Sequence, residues 1–555
     1  MAAKLLASGK RAVPLVRAMT ARFKSYFAIA VSAAVFVASC APPAPSAGNS
    51  PTVTGAATAA PNKGGTLTVL EAGEPLRFNS MLDGGVEGNL TVRIVQDPLI
   101  AMEPGTKKLI PGLAESWTVS QDGKQYTFNL RKNVKFSDGT PFTADDVVYT
   151  FNNLACKIPN CVSVSAGAYG PFIDSVTATD PSTVVVKLTN PWLIFPELLA
   201  LDFSARIVSK AAAETAGKEY GVSSLVGTGA FMLSEWVKGD HWTLVRNPNY
   251  WGQPAYLDQI VFRKVPDGSA QLVQTKAGQA DVVVFPPLDQ LDAAASDPSL
   301  NVVTADGNPI VYFRMNLAAP PFTDLNVRQA MFYGINADAV RKTAYGDYAQ
   351  TATDYFPPWL WAHDASFNAF QTNADKAKAA LAAAGYGPSN PLTFDLDVYN
   401  QSEFAQIATL IQAQLKAIGV QANVKQLDVA TLTDLELASP PKYQAAVNRY
   451  TFAIGSTDDY IWKMFDATSP SNREALNTST GLAIPDIQKS IEQARVAVDQ
   501  DTAKKLFRQV QDQLATNAVL LPLAFKKNVM VTSKRVHGLA IPPDFAQYKD
   551  VWLDQ

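Results

Sequence analysis

Midway along its 555 residues the chain changes the period of its apolar pattern, and that change limits the folds open to it more than any other feature. The first half is built from short segments of period two. Tyr126, Phe128 and Leu130 alternate with Thr127, Asn129 and Arg131, and Asp122-Gly123 supplies the turn that folds 125–131 back on 114–120 as a half-buried hairpin. A second hairpin runs through 176–188, turning at Asp180-Pro181-Ser182, and an apolar strand opens the region at 66–70. Between the hairpins Thr143 can cap a helix whose first turn holds Asp145 and Asp146, which explains that carboxylate pair as caps.

The second half is helical and parallel. Helices at 373–384 and 403–418 are stopped by Gly385 and Gly419, and strands at 391–398 and 420–427 flank the second of them. Strand, helix, strand at this spacing is a βαβ unit. Helices at 486–498 and 502–515 precede a closing strand near 519–525. A single core stops growing at roughly 250–300 residues. The order of segments therefore predicts an α/β protein of two lobes around a cleft, a favoured place for ligands.

The first 39 residues are an address. They carry six basic side chains (Lys4, Lys10, Arg11, Arg17, Arg22, Lys24) and no acidic one. An apolar run from Tyr26 to Val37 follows, broken only by Ser32 and shorter than the roughly 20 residues that cross a bilayer, so it reads as an export signal. Its end, Val37-Ala38-Ser39-Cys40, resembles a bacterial lipobox, which would make Cys40 the lipidated first residue of the mature chain. The alternative is a soluble secretory site that happens to precede a cysteine. Met19 is a second possible start, giving a signal of more usual length. Residues 40–63 hold five prolines and no aromatic side chain, a flexible tether. The expectation is an exported protein, lipid-anchored to the outer face of the cytoplasmic membrane or in the periplasm.

Cys156 and Cys161 remain. Export to an oxidising compartment makes a small disulfide loop the expectation, with two free buried thiols as the alternative. Three scattered histidines (His241, His363, His537) supply neither a metal site nor a proton relay, and no cofactor is implied. With 47% apolar residues and a net charge of -3, the chain is neither disordered nor basic enough to release counterions from nucleic acid.

Three blocks carry a family resemblance. They are Pro111-Gly112-Leu113-Ala114-Glu115-Ser116-Trp117 through Tyr126–Arg131 to Val134–Pro141; Gly227-Thr228-Gly229-Ala230-Phe231 with Arg246–Trp251; and Pro321-Phe322-Thr323-Asp324 with Val327-Arg328-Gln329-Ala330. In this order they resemble extracellular solute-binding protein family 5, the dipeptide- and oligopeptide-binding lipoproteins of ABC transporters. The resemblance implies a two-lobed periplasmic-binding-protein-like fold with an extra inserted domain. The first lobe would take 64–106, 227–317 and 524–555, the inserted β-rich domain 107–226, and the α/β second lobe 318–523, with hinge crossings near Arg314 and Phe525. It also implies a monomer that closes on a small solute, a peptide or an oligosaccharide, and then docks on ABC permease subunits in the membrane.

By the same resemblance, the carboxylate that holds a peptide ammonium should fall at Ala453, and the arginine of dipeptide binders near Val398. Neither residue is charged, so simple dipeptides are expected to bind poorly. Arg449 offers a substitute for an anion and Asp458 or Asp459 for a cation, although both acids also read as caps of the next helix. Four aromatics in Tyr355–Trp361, a Pro-containing loop, point to ligand rings or side chains, with Trp359 and Trp361 as stacking platforms. Tyr399, Asn400 and Tyr450 can join them, and Glu87 and Asn89 follow the first strand in a region that lines the family's cleft. An enzyme is not expected, because no Gly-x-Ser-x-Gly, His-Glu-x-x-His or phosphate-loop motif occurs. Two alternatives stand beside peptide import: a neutral solute such as an oligosaccharide, and a receptor or sensor subunit.

Overall fold

A computed structural model describes residues 61–82, 85–159, 161–222, 224–451, 457–469, 472–478, 481–542 and 546–554. Cys40, the signal, most of the tether and Ala453 lie outside these residues.

Two large sheets organise the chain. The first has seven strands in the order Leu300–Ala305, Asn528–Ser533, Val282–Val283, Thr66–Glu71, Gln259–Lys264, His241–Arg246 and Phe231–Val237. Thr66–Glu71 lies inside this sheet, parallel to both neighbours, and its Leu67 and Val69 are fully buried beside Leu244, Ile260 and Phe262. Trp242 stacks on its cross-strand partner Phe262 with ring centroids 5.1 Å apart, while its indole N–H donates to Thr91 Oγ1 at 2.9 Å. Burying a tryptophan costs little when its one donor is satisfied.

The second sheet has six strands in the order Ala349–Thr351, Leu520–Lys526, Ile310–Met315, Ala445–Tyr450, Thr393–Tyr399 and Gln421–Leu427. The last three are mutually parallel, joined in part by the helix Ser402–Ala417, whose Phe404, Ile407, Ala408, Ile411 and Leu415 are buried at helical spacing. The strand–helix–strand reading holds here.

A separate four-stranded antiparallel sheet contains both hairpins, Ala114–Val119 with Gln125–Leu130 and Ile173–Asp180 with Thr183–Leu188. Tyr126, Phe128 and Leu130 point inward as their alternation requires. The helix Ala144–Leu154 packs against this sheet. Its Asp146 accepts from the Thr143 backbone N–H at 2.9 Å and from the Lys210 N–H at 2.9 Å, so one carboxylate serves the starts of two helices. Gly227 and Gly229 let two backbones meet: a Cβ on either would come within 2.4 Å of a carbonyl oxygen of Ile94 or Val95.

The chain passes between the two large sheets at residues 306–309 and again at Lys527. The first passage falls earlier than expected. Ile310–Met315, counted with the first lobe from sequence, pairs with Leu520–Lys526 and Ala445–Tyr450 in the second sheet. Arg314 is therefore not at a crossing. Its guanidinium is buried on that sheet, 2.7 Å from Glu474 and 3.3 Å from Glu436, and Arg473 closes the group at 2.6 Å from Glu436.

Candidate functional site

Strand direction locates the site. In the first sheet Leu70 lies level with Val283 and Val531, so Glu71 ends its strand on the side where Asn528 begins, beside the crossings. In the second sheet Ile310 pairs with Tyr450 and Phe525, and Tyr399 and Leu427 end the neighbouring parallel strands on that same side. Both sheets thus turn the carboxyl ends of their parallel strands toward the crossings, the general position of ligands in open α/β sheets.

The sequence candidates distribute around this end. Glu87 is in the first turn of the helix Gly85–Val95 and Asn89 one turn on, its Oδ1 buried without a hydrogen-bond partner among the described residues. Tyr399 is buried edge-on against Phe404, ring centroids 5.1 Å apart. Asn400 is exposed and its backbone N–H donates to Leu427. Tyr450 is partly buried, with the Arg473 guanidinium 6.0 Å from its ring centroid.

Trp359 and Trp361 pack against both the second-sheet core and the core of the hairpin domain. Their donors are engaged: Trp359 N–H reaches Gly307 O at 3.1 Å, and Trp361 N–H reaches Glu197 at 3.3 Å. Lys107 sits over the Trp359 ring at 5.6 Å. These two rings bridge regions far apart in sequence. The loop's other two aromatics are core, contrary to the sequence reading. Phe356 is fully buried, and Tyr355 packs on Phe367, Phe370 and Phe465 with its hydroxyl donating to Leu520 O. A Pro-containing loop can be buried when its polar backbone is met, as Asp354 does here for the Phe356 and Asp364 N–H groups.

Asp458 and Asp459 lie inside the helix Thr457–Phe465 and not at a cap position before it. Asp459 is buried and pairs with Lys463 at 2.7 Å, one helical turn on. The side chain of Asp458 is outside the described atoms. Val398 is fully buried in the second-sheet core, and Arg449 lies 5.9 Å from the Phe404 ring. Cys156 and Cys161 are joined as a disulfide with Cα atoms 5.2 Å apart.

Glu71 was not among the sequence candidates. It is 1% exposed, and neither carboxylate oxygen accepts a hydrogen bond from a described residue. Burial pushes its carboxyl well above the usual range, and the charge of Glu87 adds to this. Gly73 makes room for the pair, since a Cβ there would lie 2.1 Å from Glu87 Oε1. A buried carboxyl with no donor among the described residues, beside a second carboxylate, is held toward its protonated form.

Two sheets joined by two crossings, with carboxyl-end strands facing the junction, define a binding protein of the two-lobed kind. Residues 108–472 match the bacterial extracellular solute-binding proteins, family 5, and the chain belongs to that family. It is 29% identical over 505 residues to the dipeptide-binding protein of Escherichia coli (strain K12), covering 86% of this chain and 92% of that protein. It is 28% identical over 506 residues to heme-binding protein A of Haemophilus influenzae, covering 86% and 90%. Its fold superposes on the ABC transporter substrate-binding protein CtaP of Listeria monocytogenes with a TM-score of 0.80 at 23% identity, covering 89% of this chain and all of the other.

Proposed function

We propose that this protein captures a peptide-like solute bearing a free ammonium group and delivers it to the permease of an ABC importer. The observation that carries this reading is the pair of unpartnered Glu71 oxygens at the strand ends. A bound ammonium would give them donors and lower the cost of their burial, so ligand and site stabilise each other. This also revises the expectation for dipeptides, because an ammonium now has a partner that Ala453 does not supply. Trp359 and Trp361 join the two halves through Gly307 and Glu197, contacts suited to a closed form selected by ligand.

The resemblance of relatives named for dipeptide and for heme supports solute binding at this position while leaving ligand class to local residues. A neutral solute stacked on Tyr399, Tyr450 or Trp359 is the second reading. Mass spectrometry of the solute that co-purifies from the native host separates them: a peptide with a free amino terminus supports the first, and a neutral oligosaccharide supports the second. We further propose that Cys40 carries lipid. Cys40→Ser is expected to move the protein from the membrane to the soluble fraction, and continued membrane attachment would show the anchor to lie elsewhere.

A further inference from the structure

The second sheet borders another cavity, which reaches Leu427 at the end of its strand but is otherwise lined from Asn316–Pro320, Asp395, Asp397 and the segment before Ala445. It has a volume of about 550 Å³ and lies on the sheet face beside the helix Val429–Leu437, opening toward the loops around Ala319 and Pro441. Leu427, Leu435 and the two prolines Pro320 and Pro441 give it apolar walls.

Its polar groups are mostly committed. The Asn316 side-chain amide donates to Pro441 O and Tyr443 O, and its Oδ1 accepts from Ala318 N–H. Asp395 pairs with Lys425, and Gln444 Oε1 accepts from the Asp395 backbone N–H. Asp397 is the exception. It lines the cavity, is only 5% exposed, and accepts no hydrogen bond from any described residue. A carboxylate on the wall of an open, partly apolar cavity, with no hydrogen-bond donor from the described residues, is free to accept from a donor outside the chain.

We propose that this cavity binds a small primary amine carrying an apolar substituent, its ammonium donating to Asp397 and its apolar part lying against Leu427 and Leu435. Lys442, exposed on the rim, is placed to meet a carboxylate if the amine carries one, so a free apolar amino acid fits the same description. The site is distinct from the one at Glu71, being built from the second sheet and the loops and helix beside it.

Titration sharpens the proposal. Burial pushes the Asp397 carboxyl up to about 6, Lys425 opposing this and Asp395 and Glu436 adding to it. Those groups, with Lys442 on the loop, are the charges that face it. An aliphatic amine stays protonated throughout this range, so binding should weaken as pH falls from 7 through 6 to 5, as Asp397 takes up its own proton.

The test uses 3-methylbutylamine as probe and 3-methylbutanol as its neutral counterpart, followed by methyl NMR of the whole exported chain. The amine is expected to saturate and shift the methyl signals of Leu427 and Leu435, while the alcohol does not. Asp397→Asn should weaken the amine by at least about tenfold, roughly 1.4 kcal/mol. Ala319→Trp, which obstructs the mouth without touching Asp397, should also weaken it and keeps the test open if Asp397→Asn folds poorly. Shifts confined to other methyl groups, equal binding of the alcohol, indifference to pH, or indifference to Ala319→Trp would each overturn the proposal.

Discussion

Glu436 and Glu474 lie as deep in the second half of the molecule as Glu71 does in the first, yet their surroundings differ. The two second-half carboxylates are 1% exposed or less and share Arg314, with Arg473 completing the group. Burial works against the charge of Arg314, but Glu474, Tyr312 and Glu436 more than offset it, and its guanidinium is held charged well above its usual range. Glu71 has no such counterion among the described residues. Its one charged neighbour of note is another carboxylate, Glu87. A protein that pairs buried charge in one sheet and leaves it bare in the other is using the two for different ends. The paired group fastens the second sheet to the segment around Arg473, and the bare one is the carboxyl on which the proposed ligand reading rests.

Removing the counterion from the paired group should have the largest effect. Arg314→Met leaves two buried carboxylates without their common partner and should cost about 3–5 kcal/mol. Chemical denaturation should show an early transition for the second half, and a change below about 1 kcal/mol would mean that Arg473 alone satisfies both acids.

Glu71→Gln should act in the opposite direction. An acid whose folded pKa is raised binds its proton more tightly in the folded state, so it costs stability above that folded value. The cost is relieved as pH falls through the folded value toward the unfolded value near 4.5. The substitution should therefore stabilise the ligand-free protein by about 1–3 kcal/mol at pH 7.5 and leave it unchanged near pH 4.5. A loss of stability at pH 7.5 would show that Glu71 is already paired.

A third carboxylate lies between these extremes. Asp354 is fully buried and bonded to His363 Nδ1 at 3.0 Å, which raises the histidine pKa above 6.5 through that hydrogen bond. Its contribution is complete below pH 6.5 and is lost as pH rises through the folded value. His363→Ala should remove roughly 1 kcal/mol at pH 6 and less at pH 8, read from denaturation midpoints at the two pH values. Equal losses at both would mean that the ring only fills space.

How far this contrast was legible in the sequence follows from the range of the forces involved. The hairpins at Asp122-Gly123 and Asp180-Pro181-Ser182 and the βαβ unit around the helix Ser402–Ala417 depend on local period and turn chemistry, and they stand where the pattern places them. The crossing was expected near Arg314 from the family resemblance, which does not show that Ile310–Met315 already pairs within the second sheet. The partners of Arg314 are more than a hundred residues away. Glu71 was missed because an acid directly after Thr68-Val69-Leu70 reads as the polar end of a strand. Only Glu87, brought back by the next helix, and the space left by Gly73 make it a buried site. The signal available was modest: a carboxylate closing an apolar strand two residues before a glycine.

The most direct test of the ligand reading is a thermal-shift measurement on wild type and Glu71→Gln, using a pool of di- to tetrapeptides and the same pool N-acetylated. Binding at a hundredfold excess over Kd adds about 2.7 kcal/mol of stability, and removing one member of a buried charge pair costs about 2–5 kcal/mol. The account predicts a rise in Tm for wild type with the free-amine pool alone, and little or no rise for Glu71→Gln. Equal shifts from both pools, or a Glu71→Gln protein that responds as wild type does, would contradict it.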